Sequence, residues 1–250
     1  MEQLPLDGQV MLAVGGAGGI GSAICRAYAD AGARVLVGYH SNPASGEEAL
    51  ASLSGEGHEA LAIEAENSAA LAALAADIDA RHGRLDVLIN LAGYTQFVPH
   101  DDLDALTDEI IDTVFRVDWR CTFTAIRAFK ALLAAGDGGL VINISSIASK
   151  TAMGSNVAYR AAKAAVDTMT RSLARALAPQ IRVCSVAPGL VDTAFALRLD
   201  PAWRQEQIDK TPIGRLVAPE EVAGAALALA THITAATGDI IAVDGGRPLT

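Results

Sequence analysis

The chain has 250 residues, enough for one large α/β domain with a substantial core. Apolar residues make up 51% of it but aromatics only 4%, so Ala, Val, Leu and Ile fill that core. The formal charge of −10 comes without clustered Lys and Arg, which argues against a nucleic-acid or anionic-membrane partner. In chain order, 9–14 reads as a strand, 20–32 as a helix ending at Gly32, and 33–39 as a strand. Residues 43–57 read as a helix, 59–65 as a strand, and 68–83 as a helix ending at Gly83. A strand at 85–90 precedes a long helix over 107–135, with Thr107 as N-cap and Asp108 and Glu109 in its first turn. Then come a strand at 139–145, a helix at 157–178 stopped by Pro179, a strand at 181–187, a helix at 219–231 and a last strand at 239–244.

Repeated strand–helix alternation predicts an α/β fold: a doubly wound parallel sheet, Rossmann-like, with helices on both faces. No linker divides the chain, so residues 1–250 read as a single domain. The stretch 190–218 breaks the rhythm and reads as an insertion covering a ligand site. Cys25, Cys121 and Cys184 are far apart in apolar segments, as expected of buried thiols in a reducing compartment. No spacing suggests a metal site. The start, "MEQLPLDGQV", has no basic leader region, and no uninterrupted apolar run reaches membrane-spanning length. A cytoplasmic location is the expectation. The sequon Asn143-Ile144-Ser145 falls in a predicted buried strand and is discounted.

The run "MLAVGGAGGIGSAI" (11–24) places Gly15, Gly19 and Gly21 between the first strand and the first helix. Without Cβ atoms the chain can turn tightly there, and a pyrophosphate can approach the N–H groups of the helix N-terminus. The G-x-x-x-G-x-G spacing resembles that of the short-chain dehydrogenases/reductases. "NLAG" (90–93), "INISS" (142–146), "YRAAK" (159–163), "APGLVDT" (187–193) and "VDGG" (243–246) match that family's motifs in order over nearly the whole chain. The chain broadly resembles its 3-oxoacyl-carrier-protein reductase-type members.

The resemblance implies a catalytic set of Ser146, Tyr159 and Lys163. Tyr159 and Lys163 lie four apart on a helix and share a face. A phenol is a poor acid–base near neutral pH unless a neighbouring ammonium favours the phenolate. Ser146, at a strand end, can hydrogen-bond the substrate oxygen. The family usually adds an Asn whose backbone carbonyl holds a proton-relay water. The matching residue here is Asp118. Its carboxylate needs pairing if buried, and could pair with Lys163 and weaken the effect on Tyr159. Val14 and Leu91 are smaller departures.

The resemblance also implies cofactor contacts. These are Gly15, Ala17, Gly18, Gly19 and Ile20 in the loop, and Tyr39, His40 and Ser41 after the second strand. Glu64 (or Glu66) and Ala65 follow the third strand, and Asn90, Ala92 and Gly93 the fourth. Tyr159, Lys163, Pro188, Gly189, Val191 and Thr193 complete the set. No carboxylate stands at Tyr39, where an acid would select NAD, while His40, Ser41 and Asn42 can hydrogen-bond a 2′-phosphate. NADP(H) is therefore favoured, with NAD(H) the alternative; Gly18 stands where NADP-using relatives often carry a cation, and Arg34 is expected to point elsewhere. Tyr94–Val98, Met153 and 190–213 should line a largely apolar pocket, with Gln96 and Asn156 as polar points, for a small carbonyl or alcohol substrate. The rival reading is a nucleotide-binding regulatory protein of the same fold with impaired catalysis. The helix 157–178 looks apolar around most of its circumference, which with the family's habit suggests a homotetramer, or else a dimer.

Overall fold

The computed structural model describes residues 4–250. Seven strands form one parallel sheet: β1 (Val10–Val14), β2 (Arg34–Tyr39), β3 (Glu59–Ala62), β4 (Val87–Asn90), β5 (Gly139–Ile144), β6 (Ile181–Pro188) and β7 (Ile240–Val243). Their order is β3-β2-β1-β4-β5-β6-β7, so the topology reverses between β1 and β4. In such sheets ligands bind at that reversal, beyond the carboxyl ends of the strands. The register Val14↔Asn90↔Asn143↔Ser185 aligns those ends across the central strands. β1 and β4 are buried throughout, as strands covered on both faces must be.

Helices α1 (Gly19–Asp30) and α9 (Pro219–Thr231) cover one face, and fully buried Tyr28 of α1 donates its hydroxyl to Ala226 O at 2.9 Å. α3 (Ser68–His82), α5 (Cys121–Ala134) and α6 (Val157–Leu177) pack on the other face around Leu88, Phe129, Val141 and Val166. α3 has both expected ends: Asn67 Oδ1 accepts the N–H groups of Ala69 and Ala70, and Gly83 terminates it at φ +66°.

Two predicted helices are corrected. The helix expected over 43–57 is α2 (Pro43–Ala51); Gly55 and Gly57 take positive φ and the chain turns before them. The helix expected over 107–135 is not uniform. α4 (Asp108–Val114), capped by Thr107, runs into a π-helical stretch, Phe115–Arg120, before α5. The wider turn coincides with Asp118, whose side chain is drawn into the interior by the contacts described below. The insertion holds two short helices, α7 (Ala194–Leu197) and α8 (Pro201–Asp209).

α6 is also more one-sided than its composition suggests. Val166, Met169 and Ala174 are buried and Leu173 and Leu177 pack on the core. The exposed positions are Val157, Ala161, Thr168, Arg171, Ser172, Arg175 and Ala176. Apart from Val157 in the first turn, the large apolar side chains are spent inside the subunit, so all-round apolarity is no argument for assembly. Among the described residues no helix is long and apolar enough to cross a membrane, and no cluster of His, Cys, Asp or Glu is placed to hold a metal.

Candidate active site

The three residues expected to do chemistry come from two adjacent elements. β5 ends at Ile144, and Ser146 caps a one-turn 3₁₀ helix, Ile147–Ser149, its Oγ accepting the Ala148 N–H at 3.1 Å. α6 then begins at Val157, capped by Asn156, whose Oδ1 accepts the Tyr159 N–H at 2.7 Å. One turn on, Lys163 is 5% exposed, and its ammonium lies 5.6 Å from the centre of the Tyr159 ring.

That ammonium is held from two sides. It donates to Ile144 O at 3.2 Å and lies 2.9 Å from Asp118 Oδ1. Asp118 is fully buried in the π-helical turn, and its other oxygen accepts the Tyr94 N–H at 3.1 Å. Its backbone carbonyl accepts the Thr122 hydroxyl at 2.8 Å. Burial opposes the Lys163 charge, but Asp118, then Tyr159 and Asp167, outweigh it and hold its pKa above the ordinary lysine value. The expected pairing of Asp118 with Lys163 is thus what the structure shows.

The glycine loop abuts this cluster. A Cβ on Gly15 would lie 3.2 Å from Ala92 N, one on Gly19 2.9 Å from Thr193 Cγ2, and one on Gly21 2.5 Å from Gly15 O. A Cβ on Gly93 would come 3.2 Å from Asp118 Oδ1 and 3.7 Å from Lys163 Nζ. α1 starts at Gly19 with no side-chain cap and no acid in its first turn, so its positive end is uncompensated. A bare backbone cradle, an open helix N-terminus and a buried ammonium fit a dinucleotide.

Known proteins resemble this chain along nearly its whole length. A family model described as enoyl-(acyl carrier protein) reductase matches residues 15–247. D-threitol dehydrogenase of Mycolicibacterium smegmatis is 35% identical over 248 residues, covering 96% of this chain and 93% of the relative. The 3-oxoacyl-[acyl-carrier-protein] reductase of Thermotoga maritima is 31% identical, covering 96% and 98%. A crystal structure of a short-chain dehydrogenase/reductase from Burkholderia xenovorans superposes with a TM-score of 0.88 at 33% identity, covering 97% and 98%. The chain belongs to the short-chain dehydrogenase/reductase family. Its members are oxidoreductases that use NAD(P)(H).

Within this short-chain dehydrogenase/reductase the remaining expected residues divide. Ala17 and Ile20 lie in the loop and first turn, Pro188 ends β6, and Gly189 packs on Asp244. Val191 is buried, and its carbonyl accepts the Thr193 hydroxyl at 3.4 Å. Beyond β2, His40 and Ser41 are exposed, and the Tyr39 ring lies flat on α2 at Gly46. Arg34 sits at the opposite end of β2, against His82. Glu64 accepts a hydrogen bond from Asn67, Ala65 O accepts one from Thr124, and Glu66 is paired with Arg116. Of the two acids, Glu64 is the one not held in an ion pair.

Two side chains differ from expectation. Asn90 is 3% exposed and turned into the sheet: its amide donates to Asn143, which donates to Thr170 of α6. It ties the end of β4 to β5 and, through Asn143, to α6. Asn156 is fully buried, spent on capping Tyr159 and on Gln96 O, so it is no polar point in a substrate pocket. The rest of the apolar rim is present. Tyr94, Phe97, Phe195, Leu197, Trp203 and Ile213 are all well exposed, and Phe97 meets Trp203 edge-on with centroids 5.5 Å apart. A cleft of about 380 Å³ lies beside the Ser146 turn, lined in part by Ile147, Lys150, Met153 and Asp244. Sequence reasoning missed Asp167, Ser149 and Thr170, which face the site from below. Only the helical spacing of Asp167 and Thr170 from Lys163 pointed to them.

Proposed function

We propose that the protein transfers hydride between NADP(H) and a ketone or secondary alcohol, with Tyr159 as acid/base, Lys163 assisting it and Ser146 polarising the carbonyl. The observation that supports this best is Lys163: a buried ammonium, fixed at Ile144 O and Asp118, beside the Tyr159 ring. When bound, the nicotinamide supplies or accepts the hydride. The chain does the rest. Reduction builds negative charge on the substrate oxygen. Ser146, whose Oγ already accepts the Ala148 N–H, keeps its own proton to donate there. Tyr159 gives its hydroxyl proton, and the Lys163 ammonium stabilises the phenolate left behind. In oxidation the same groups run in reverse.

NADP(H) is favoured because no carboxylate follows β2, where only Tyr39, His40 and Ser41 stand. The exposed rim suits substrates of modest polarity. Relatives named for D-threitol, galactitol and 3-oxoacyl-carrier-protein substrates mark the range. Assembly as a homotetramer belongs to the same reading, with the small exposed residues of α6 allowing close approach of a second copy.

The test is a titration with NADPH and with NADH, followed by nicotinamide fluorescence. Turnover is then assayed on acetoacetyl-coenzyme A, L-sorbose and 4-oxocyclohexanecarboxylate. Tighter NADPH binding and reduction of any of the three support the reading. Tighter NADH binding overturns the cofactor assignment. Binding of neither nucleotide overturns the enzyme reading.

A further inference from the structure

α6 carries a third ionisable group one turn beyond Lys163. Asp167 is 3% exposed. One carboxylate oxygen accepts the Ser149 hydroxyl at 2.5 Å, while the other is buried without a hydrogen-bond partner. A half-satisfied carboxylate is a costly group to bury, and a small apolar residue would fit a helix–turn contact at less expense. What it holds is the turn that presents Ser146. Ser149 is the last residue of that turn, and its backbone N–H donates to Ser146 O at 3.0 Å. The Ser146 Oγ is fixed inside the same turn by Ala148 N–H. Ser146 leaves from β5, whereas Tyr159 and Lys163 ride on α6. The Asp167–Ser149 bond crosses from the turn itself to the helix, between Lys163 on Ile144 O before the turn and Arg160 on Thr151 O after it.

We propose that Asp167 is a positioning residue: through Ser149 it locks the Ser146 turn to the helix that carries Tyr159 and Lys163, setting where the Ser146 hydroxyl stands relative to the Tyr159 hydroxyl. The proposal rests on the roles assigned above to Ser146 and Tyr159. Placement of this kind is worth large factors in rate, because an error near 1 Å can cost about a hundredfold.

The first readout needs no substrate. Amide hydrogen exchange in Ser149→Ala and Asp167→Ala should quicken at Ala148 and Ser149 by at least about tenfold, with the amides of α6 unchanged. Asp167→Asn, which still offers Ser149 an acceptor, should restore most of the protection. Unchanged exchange at Ala148 in Ser149→Ala overturns the proposal, and so does general loosening of α6. The second readout is kcat on whichever probe carbonyl above is reduced fastest. Ser149→Ala should lower kcat about tenfold with little change in KM, and should cost less than about twofold more in a Ser146→Ala background. Full additivity of the two changes overturns it. A loss in Ser146→Ala without one in Ser149→Ala rejects Asp167 alone, whereas full activity in Ser146→Ala rejects the catalytic reading with it.

Discussion

Replacing Asp118 by Asn removes one charge from a buried pair and leaves shape almost unchanged. Lys163 Nζ lies 2.9 Å from the Asp118 carboxylate, and both groups are essentially out of water. At an effective dielectric of about 20 their attraction is about 6 kcal/mol, and the cost of desolvating the carboxylate cancels part of it. Truncating one member of such a pair typically costs about 3–5 kcal/mol, because the other charge stays buried alone. The single oxygen of an Asn can serve either the Tyr94 N–H or the ammonium but not both, yet the ammonium keeps Ile144 O as an acceptor, so the lower end, about 3 kcal/mol, is expected. Urea unfolding at pH 7 reads it directly, as a lower midpoint at unchanged slope. Lys163→Met should cost a similar amount. The double variant should cost about 3 kcal/mol less than the two losses summed. Turnover should move the other way, held or raised in Asp118→Asn, because the ammonium then acts on Tyr159 without a competing carboxylate. A stability loss under about 1 kcal/mol refutes the pairing argument. A large loss of turnover in a folded variant shows that the carboxylate has a catalytic role of its own.

Tyr159→Phe should lower turnover by about 10²–10⁴-fold while the nucleotide affinity measured by fluorescence stays within about twofold; unchanged turnover sinks the mechanism. Gly21→Ala puts a Cβ 2.5 Å from Gly15 O, so the phosphate cradle must shift. A stability loss of about 1–3 kcal/mol and weaker NADPH binding should both follow. The folded-state pKa of Lys163 is raised above 10.5. Its contribution is therefore complete below that pH and disappears as pH rises through the folded value, and urea midpoints should fall at lower alkaline pH in Asp118→Asn than in the wild type. Glu221, bonded to Arg215 and to the Ala218 N–H, has its pKa lowered from 4.5 to about 2. The stability it adds is present above pH 4.5 and lost as pH falls through about 2, so melting curves of wild type and Glu221→Gln should converge there.

The alternation of strands and helices, the glycine run and the Tyr159–Lys163 spacing were legible because each is local: a period, a turn or a shared helix face. The π-helical turn at Phe115–Arg120 was not. Within it Asp118 reaches Tyr94 and Lys163, residues far away in sequence, and helical period alone reads the segment as continuous. Asn90 and Asn156 were misdirected for a related reason. A polar residue next to a motif looks like a ligand contact until its partners, Asn143 and Gln96, are known. Asp167 carries no local signal because its partner, Ser149, lies across a turn and a cap. The one-sidedness of α6 was obscured because alanine suits both a core and a surface.

The contact between Phe97 and Trp203 separates two kinds of inheritance. In the mechanism proposed above, proton transfer draws on the end of β5, the face of α6 and the π-helical turn, which adjoin the sheet. The rim at 94–98 and in the insertion is joined by one aromatic edge, which imposes no directional bond and no fixed length. The side chains of Phe97, Phe195, Leu197 and Trp203 make no hydrogen bond or ion pair to Lys163, Asp118 or Ser146. Relatives sharing only about a third of their positions with this chain belong to one family while carrying names as different as D-threitol dehydrogenase and 3-oxoacyl-carrier-protein reductase. Retargeting this protein to a new carbonyl compound is therefore a matter of rebuilding its doorway while leaving the machinery untouched.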